Sequence, residues 1–164
     1  MEIRTPVEAK VISRLKVGDR LEISGVIYTG RDAVLPKLVK IAESGGVLPV
    51  DLQGSVIFHT AVSPAGIGPT TSNKEEIEGS IPVLSRVGVK IHLGKGALSP
   101  RTVEELRRHG SIFAVTPPVT ALFASRIISR RVVAFPEEGM EALHELVVDK
   151  FPAIVAIAGG QSIF

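Results

Sequence analysis

Apolar runs with a period of two alternate along this chain with stretches of helical period, and glycine or proline stands at most of the switches. Leu21-Glu22-Ile23-Ser24-Gly25-Val26-Ile27-Tyr28 alternates as a strand does and is entered through a turn at Val17-Gly18-Asp19. Over residues 32–43, Leu35, Leu38, Val39 and Ala42 fall on one face, which predicts an amphipathic helix. Pro36 lies close enough to its start to be tolerated, and Gly45-Gly46 ends it. Residues 55–62 form a second strong strand pattern that runs toward Gly68-Pro69.

A helix is expected from Thr71 or Ser72, its pattern interrupted by Gly79 and Pro82. A short strand follows at 89–93 and ends at Gly94-Lys95-Gly96. The best-marked helix comes next: Ser99 caps it, Pro100 holds its first position, Glu104 and Glu105 come early, Arg107 and Arg108 come late, and Gly110 stops it. Beyond it the pattern predicts a strand at 112–115, a break at Pro117-Pro118, a short helix from about 119 to 125 and a strand at 131–135. A helix at 138–148 and a last strand at 152–157 complete the reading. Strands alternating with helices indicate an α/β domain with partly parallel pairing. No repeat, low-complexity segment or linker divides the chain, so residues 1–164 are expected to form one domain.

Composition narrows the chemistry. Hydrophobic residues make up 45% of the chain but aromatic ones only 4%, so the core must be built from Val, Ile, Leu and Ala. A net charge of +2, without Lys/Arg runs interleaved with aromatics, argues against nucleic-acid binding. The N-terminus has no apolar signal region and no apolar run reaches membrane-spanning length, so the expectation is a cytoplasmic protein with no membrane contact. Cysteine is absent, which rules out disulfides, thiolate nucleophiles and Cys-based metal or cluster ligation by this chain. The histidines at 59, 92, 109 and 144 lack metal-ligand spacing, and none is expected to bind a metal.

Three strand-to-loop transitions end in glycine-flanked polar clusters: Tyr28-Thr29-Gly30-Arg31-Asp32, Gly68-Pro69-Thr70-Thr71-Ser72-Asn73-Lys74, and Gly94-Lys95-Gly96. In α/β sheets, ligands collect where such loops converge at the carboxyl ends of strands. Arg31, Lys74 and Lys95 would make a converged site cationic, so its ligand should be a carboxylate or a phosphate. Taken singly, each cluster also fits an ordinary helix cap or a turn with a solvated cation. The third is not a P-loop, because the Gly-x-x-x-x-Gly-Lys-Ser/Thr spacing is missing.

These segments carry a resemblance. Ser24-Gly25-Val26-Ile27-Tyr28-Thr29-Gly30-Arg31-Asp32-Ala33, Gly68-Pro69-Thr70-Thr71-Ser72 and Gly94-Lys95-Gly96 resemble the β-component of class I (iron–sulfur) fumarate hydratases and L(+)-tartrate dehydratases. Gly139-Met140-Glu141-Ala142-Leu143, Phe151-Pro152-Ala153 and Gly159-Gly160 are similar to that family's ending, so the likeness spans residues 15–160. It implies a swivelling β/β/α domain with a mixed, partly parallel sheet. It implies a hetero-oligomer with an α-component whose cysteines hold a [4Fe–4S] cluster, and a small dicarboxylate substrate, (S)-malate or fumarate. By the resemblance Thr70 is the base that takes the C3 proton, Arg31 grips a substrate carboxylate with Asp32 orienting it, and Lys95 shares the pocket. Gly68, Thr71 and Lys74 complete the expected substrate-binding set.

The chain departs from the family pattern in three places. Lys74-Glu75-Glu76 stand where the family has arginine followed by Met-Asp; lysine keeps the charge but loses the bidentate fork. Leu35 replaces a histidine, and Thr116-Pro117-Pro118-Val119-Thr120 replaces a small-residue Gly-Gly-Ala-Ala stretch. The alternatives are a β-subunit of L(+)-tartrate dehydratase or a related hydroxy-acid dehydratase, and a non-catalytic anion-binding or regulatory module.

Overall fold

The computed structural model describes residues 1–63, 66–67, 74–117 and 124–164, with the side chains of 63, 66, 67 and 74–76 excepted. It opens with two short elements that the sequence pattern does not announce, strand β1 (Glu2–Arg4) and the single turn α1 (Ala9–Ile12). The alternating run that follows becomes β2 (Arg20–Gly30), longer than expected by Arg20 at its start and by the two residues that lead to Arg31. The first long helix, α2 (Leu35–Glu43), starts three residues later than its pattern suggests. Pro36 has no N–H to return to the Asp32 carbonyl, so residues 32–34 form turns in which Val34 and Leu35 donate to the Arg31 carbonyl.

The second strong strand divides into β3 (Val56–His59) and β4 (Val62–Ser63), the latter paired with β5 (Gly66–Ile67). Next come α3 (Lys74–Arg86), which runs through Pro82, and β6 (Ile91–Gly94). Helix α4 (Pro100–Arg108) has the expected cap: Ser99 Oγ accepts from the Thr102 N–H at 3.3 Å. Strand β7 (Ile112–Val115) agrees with expectation, whereas β8 (Ile127–Ala134) starts four residues earlier than its pattern. Of the short helix expected over 119–125, residues 119–123 lie outside the described residues, and 124–126 form a single helical turn.

The helix expected over 138–148 is not there. A 3₁₀ segment occupies Pro136–Glu141, broken at Gly139, and β9 (Leu143–Ala158) takes over. The helical spacing of Leu143, Leu146 and Val147 is overruled by pairing on both sides. Val26 to Thr29 pair antiparallel with Val147 to His144, and Arg130, Arg131 and Val132 pair with Leu146, Glu145 and His144. The expected last strand is therefore the second half of a 16-residue one. Between the halves β9 carries a bulge: Asp149 and Lys150 oppose Ser24 alone, with Lys150 at φ 53 and its N–H donating to Ser24 Oγ at 2.9 Å. Strand β10 (Gln161–Ser162) folds back on its end.

Among the described residues eight strands join in one mixed sheet. β2, β3, β6 and β7 are mutually parallel neighbours, and β9 runs antiparallel to both β2 and β7, so the pairings β2–β3–β6–β7–β9–β2 close on themselves. Alternate residues point inward and form one apolar core, with Ile23, Ile27, Phe58, Leu93, Ala114, Leu146 and Val155 among them. Phe58 and Phe151 meet edge to face across it, 5.6 Å apart. On the outer face, Ile57 packs with Leu38 of α2 and Leu84 of α3, and Phe113 packs with Ile81 of α3 and Leu106 of α4. The helices thus cover β3, β6 and β7 and leave the C-terminal edge of the four parallel strands to the loops.

Candidate functional site

Four parallel strands end along one edge, and that edge is where the charged loop residues start. Gly30, the last residue of β2, pairs with His59, the last of β3, and Phe58 pairs with Leu93 just before the end of β6. Arg31 and Lys95 therefore leave strands separated by β3 alone, which sets their starting points about 10 Å apart. Thr60 leaves the strand between them and Thr116 follows the next strand, β7. Arg31 and Asp32 follow the end of β2, and Lys95 follows the end of β6. Gly68, Thr70 and Thr71 lie outside the described residues, and Lys74 is placed only as the first residue of α3.

Arg31 is mostly covered, with 22% of its side chain exposed. Its Nε lies 3.4 Å from Glu141 Oε1, and its Nη2 lies 4.0 Å from Asp32 Oδ2. Two carboxylates thus flank one guanidinium at ion-pair distance. Glu141 belongs to the Gly139–Leu143 stretch already singled out in the sequence; the structure gives that stretch a physical task, holding Arg31 from 110 residues away. Lys95 is exposed and makes no ion pair among the described residues.

Beneath this edge lies a polar row that the sequence reading missed. His59 Nε2 is 3.3 Å from His92 Nδ1, and His92 Nε2 is 2.9 Å from Ser85 Oγ of α3. His59 Nδ1 is buried and has no hydrogen-bond partner among the described residues. Burial pushes the His59 imidazole down to about 4. Burial first, and the neighbouring His59 second, hold His92 well below its ordinary value. Both rings are neutral at neutral pH, so one N–H and one lone pair face each other across the 3.3 Å gap. No group of three or more His, Cys, Asp or Glu side chains that could hold a metal occurs among the described residues. The only sequence signal for this row was a histidine inside each of two successive strand patterns.

The arrangement can hold an anion at a cationic strand edge, with neutral, buried polar groups below it. Comparison with known proteins shows the family to which this fold belongs. The sequence model described as Fumarase C-terminus matches residues 1–164. The chain belongs to that family. It is 31% identical over 156 residues to the anaerobic class I fumarate hydratase of Escherichia coli, covering 89% of this chain and 28% of that protein. It is 27% identical to fumarate hydratase 2 of Leishmania major over 96% of this chain and 29% of that protein. Against the β subunit of L(+)-tartrate dehydratase from Escherichia coli it is 29% identical, over 94% of this chain and 81% of the subunit. The chain thus spans about three-tenths of the fumarate hydratases it matches and most of the tartrate dehydratase subunit. Within the fumarase C-terminus family the mixed, partly parallel sheet expected from the sequence is present.

Proposed function

We propose that this chain is the β-component of a hydro-lyase that reversibly dehydrates (S)-malate to fumarate, and that it works only with a cysteine-bearing α-component. The observation that carries the reading is the pair Arg31 and Lys95, leaving strand ends about 10 Å apart in a fumarase C-terminus fold. Two cations at that separation suit the two carboxylates of a four-carbon diacid. Arg31, aimed by Asp32 and Glu141, grips one carboxylate, and Lys95 serves the other end of the substrate. Thr70 removes the C3 proton. The electron pair of that C–H bond becomes the new double bond, and the C2 hydroxyl departs with a proton as water, so the proton lost from C3 and the hydroxide lost from C2 balance. A threonine hydroxyl is a poor base, so Lys95 and Lys74 are assigned the task of favouring its ionised form. Gly68 and Thr71 shape the loop that presents it.

An iron–sulfur cluster does not fit this chain's own residues. It has no cysteine, and the described residues offer no metal-ligand group. The cluster of the class is therefore assigned to the α-component. The chain is read as one swivelling domain that closes over the partner's site in a cytoplasmic hetero-oligomer. A second reading, L(+)-tartrate dehydratase, is favoured by Lys74: losing the guanidinium fork changes the grip on whatever substituent lies there. Reconstituting the pair and assaying malate, fumarate and both tartrate isomers tests both readings. Turnover of malate and fumarate is expected, and its absence sinks the first reading.

A further inference from the structure

Between β8 and β9 the chain forms a strap, residues 135–142, that meets the start of α2. It is fastened there at two points. At the first, Lys37 Nζ donates to Glu138 Oε1 at 2.8 Å and to Glu137 Oε1 at 3.3 Å, and the same ammonium stands 5.1 Å from the centre of the Phe135 ring. At the second, Glu141 Oε1 lies 3.4 Å from Arg31 Nε, and both of those atoms are buried. Arg31 and Lys37 belong to one short stretch of chain and Glu137, Glu138 and Glu141 to another, so the two contacts join the same two segments.

Three observations give the Lys37 contacts a task beyond the fold. First, Lys37 stands in the first turn of α2, where the helix dipole disfavours a cation, and that turn has no acidic residue of its own. The helix does not explain a lysine there; the strap's carboxylates do. Second, the strap does not hold its own shape. Phe135 takes a left-handed backbone (φ 55, ψ 50) that suits an aromatic residue poorly, and Gly139 (φ 60, ψ −121) breaks the 3₁₀ segment between the two fastening points. Such backbone keeps its place only while its surroundings hold it. Third, the Lys37 side chain is 38% exposed, and ion pairs at that exposure add little to stability. The latch can therefore be cut without unfolding the chain, yet what it steadies lies beside a mostly covered guanidinium.

We propose that Lys37 is a positioning residue for Arg31: by latching the strap it keeps Glu141 beside the guanidinium, so that a ligand carboxylate meets an arginine already ordered. An arginine that must be ordered on binding loses affinity for that reason alone. The inference rests on the reading of Arg31 as the carboxylate grip of the hydro-lyase and extends it to a residue on α2. The hydrogen bond to Glu138 foremost, then that to Glu137, hold the Lys37 ammonium above its ordinary range against partial loss of hydration, so the latch is charged at neutral pH.

Two measurements test it. In NMR spectra of the full chain, the Arg31 Nε–H, assigned by its loss in Arg31→Lys, should exchange slowly with water because the atom is buried. Lys37→Met should speed that exchange about tenfold, by letting the strap open more often, and Lys37→Arg should leave it as in the parent. Glu141→Gln should speed it as well, and adding Lys37→Met to Glu141→Gln should change nothing further, since Lys37 acts through Glu141. An unchanged rate in Lys37→Met, or additive effects of the two substitutions, would overturn the proposal. In the reconstituted pair, Lys37→Met should raise KM for malate about fivefold and leave kcat within about twofold, because Arg31 grips ground state and transition state alike. An unchanged KM, or a fall in kcat alone, would also overturn it. If neither malate nor fumarate turns over, the hydro-lyase reading has failed, and the exchange rates still decide the latch. Should Lys37→Met not fold, Glu138→Gln removes the shorter latch contact and must show the same changes.

Discussion

Within three residues, β2 serves two regions of opposite sign. Tyr28 lines a surface cleft with Asp51 and Glu145, while Arg31, just past the strand's end, opens a cationic edge shared with Lys95. The cleft is built from regular strand positions and a glycine-braced wall. The edge is built from loops that leave four parallel strands. The difference teaches where each chemistry can be adjusted. The edge draws Arg31 and Lys95 from positions just past strand ends, whereas Gly25 and Gly88 cannot change without moving Thr5 or Gln53. Substrate choice would then be expected to vary at the edge and not in the cleft.

The sharpest way to separate the two regions is Thr70→Ala in the assembled complex. If Thr70 is the base, turnover should fall by about 10³-fold, within the range for a lost proton-transfer group. Tyr28 is the sole tyrosine and tryptophan is absent, so the tyrosine fluorescence of the chain alone reads the cleft and should be unchanged. Steady-state kinetics on the complex and the fluorescence spectrum of the chain check both halves. Retained turnover would remove the base from Thr70 and favour a module that only binds anions.

Much of this division was visible before folding, but unevenly. The strand leading to Arg31 and the helix capped by Ser99 are local features, and their residues act within a few positions of one another. The Arg31–Glu141 pair and the His59–His92–Ser85 row depend on which strands lie side by side. Register is not written in any single segment, so those contacts could not be read. The helix expected at 138–148 failed for a related reason. Leu143, Leu146 and Val147 sit at helical spacing, yet both neighbours of that segment are strands needing partners, and tertiary pairing outweighs a weak propensity.

A second expected effect lies beneath the edge. His59 titrates near 4 in the folded chain and near 6.5 when unfolded, because burial disfavours its charged form. Above pH 6.5 the ring is neutral in both states and costs nothing. As pH falls from 6.5 toward 4 the unfolded chain binds a proton that the folded chain does not, so stability declines by about 1.4 kcal/mol per pH unit. Below 4 the slope from this group ends. The total is about 3 kcal/mol, and His92, shifted in the same direction, steepens it. Urea unfolding between pH 7 and pH 4 should show the decline, and His59→Leu should flatten it. An unchanged slope in the variant would mean that the ring is not neutral in the fold. The cleft has no histidine among its lining residues, so the Tyr28 fluorescence of the folded chain should hold down to the pH at which its carboxylates protonate.

The smallest expected effect falls on α3, the helix that begins at Lys74 and covers the histidine row. Gly79 sits in its interior, exposed, and an added Cβ would meet nothing within 4 Å. Pro82 further loosens this stretch, because it cannot donate to the Glu78 carbonyl. Glycine in a helix interior costs about 0.5–1 kcal/mol relative to alanine, so Gly79→Ala should stabilise the chain by that amount, read as a raised urea midpoint at constant slope. It touches neither Arg31 nor Asp51, and both turnover and Tyr28 fluorescence should be unaltered. If stability rises while turnover falls, the loose middle of α3 is being used. The cationic edge would then depend on bending of the helix that carries Lys74, and the contrast with the rigid cleft would become one of motion as well as charge.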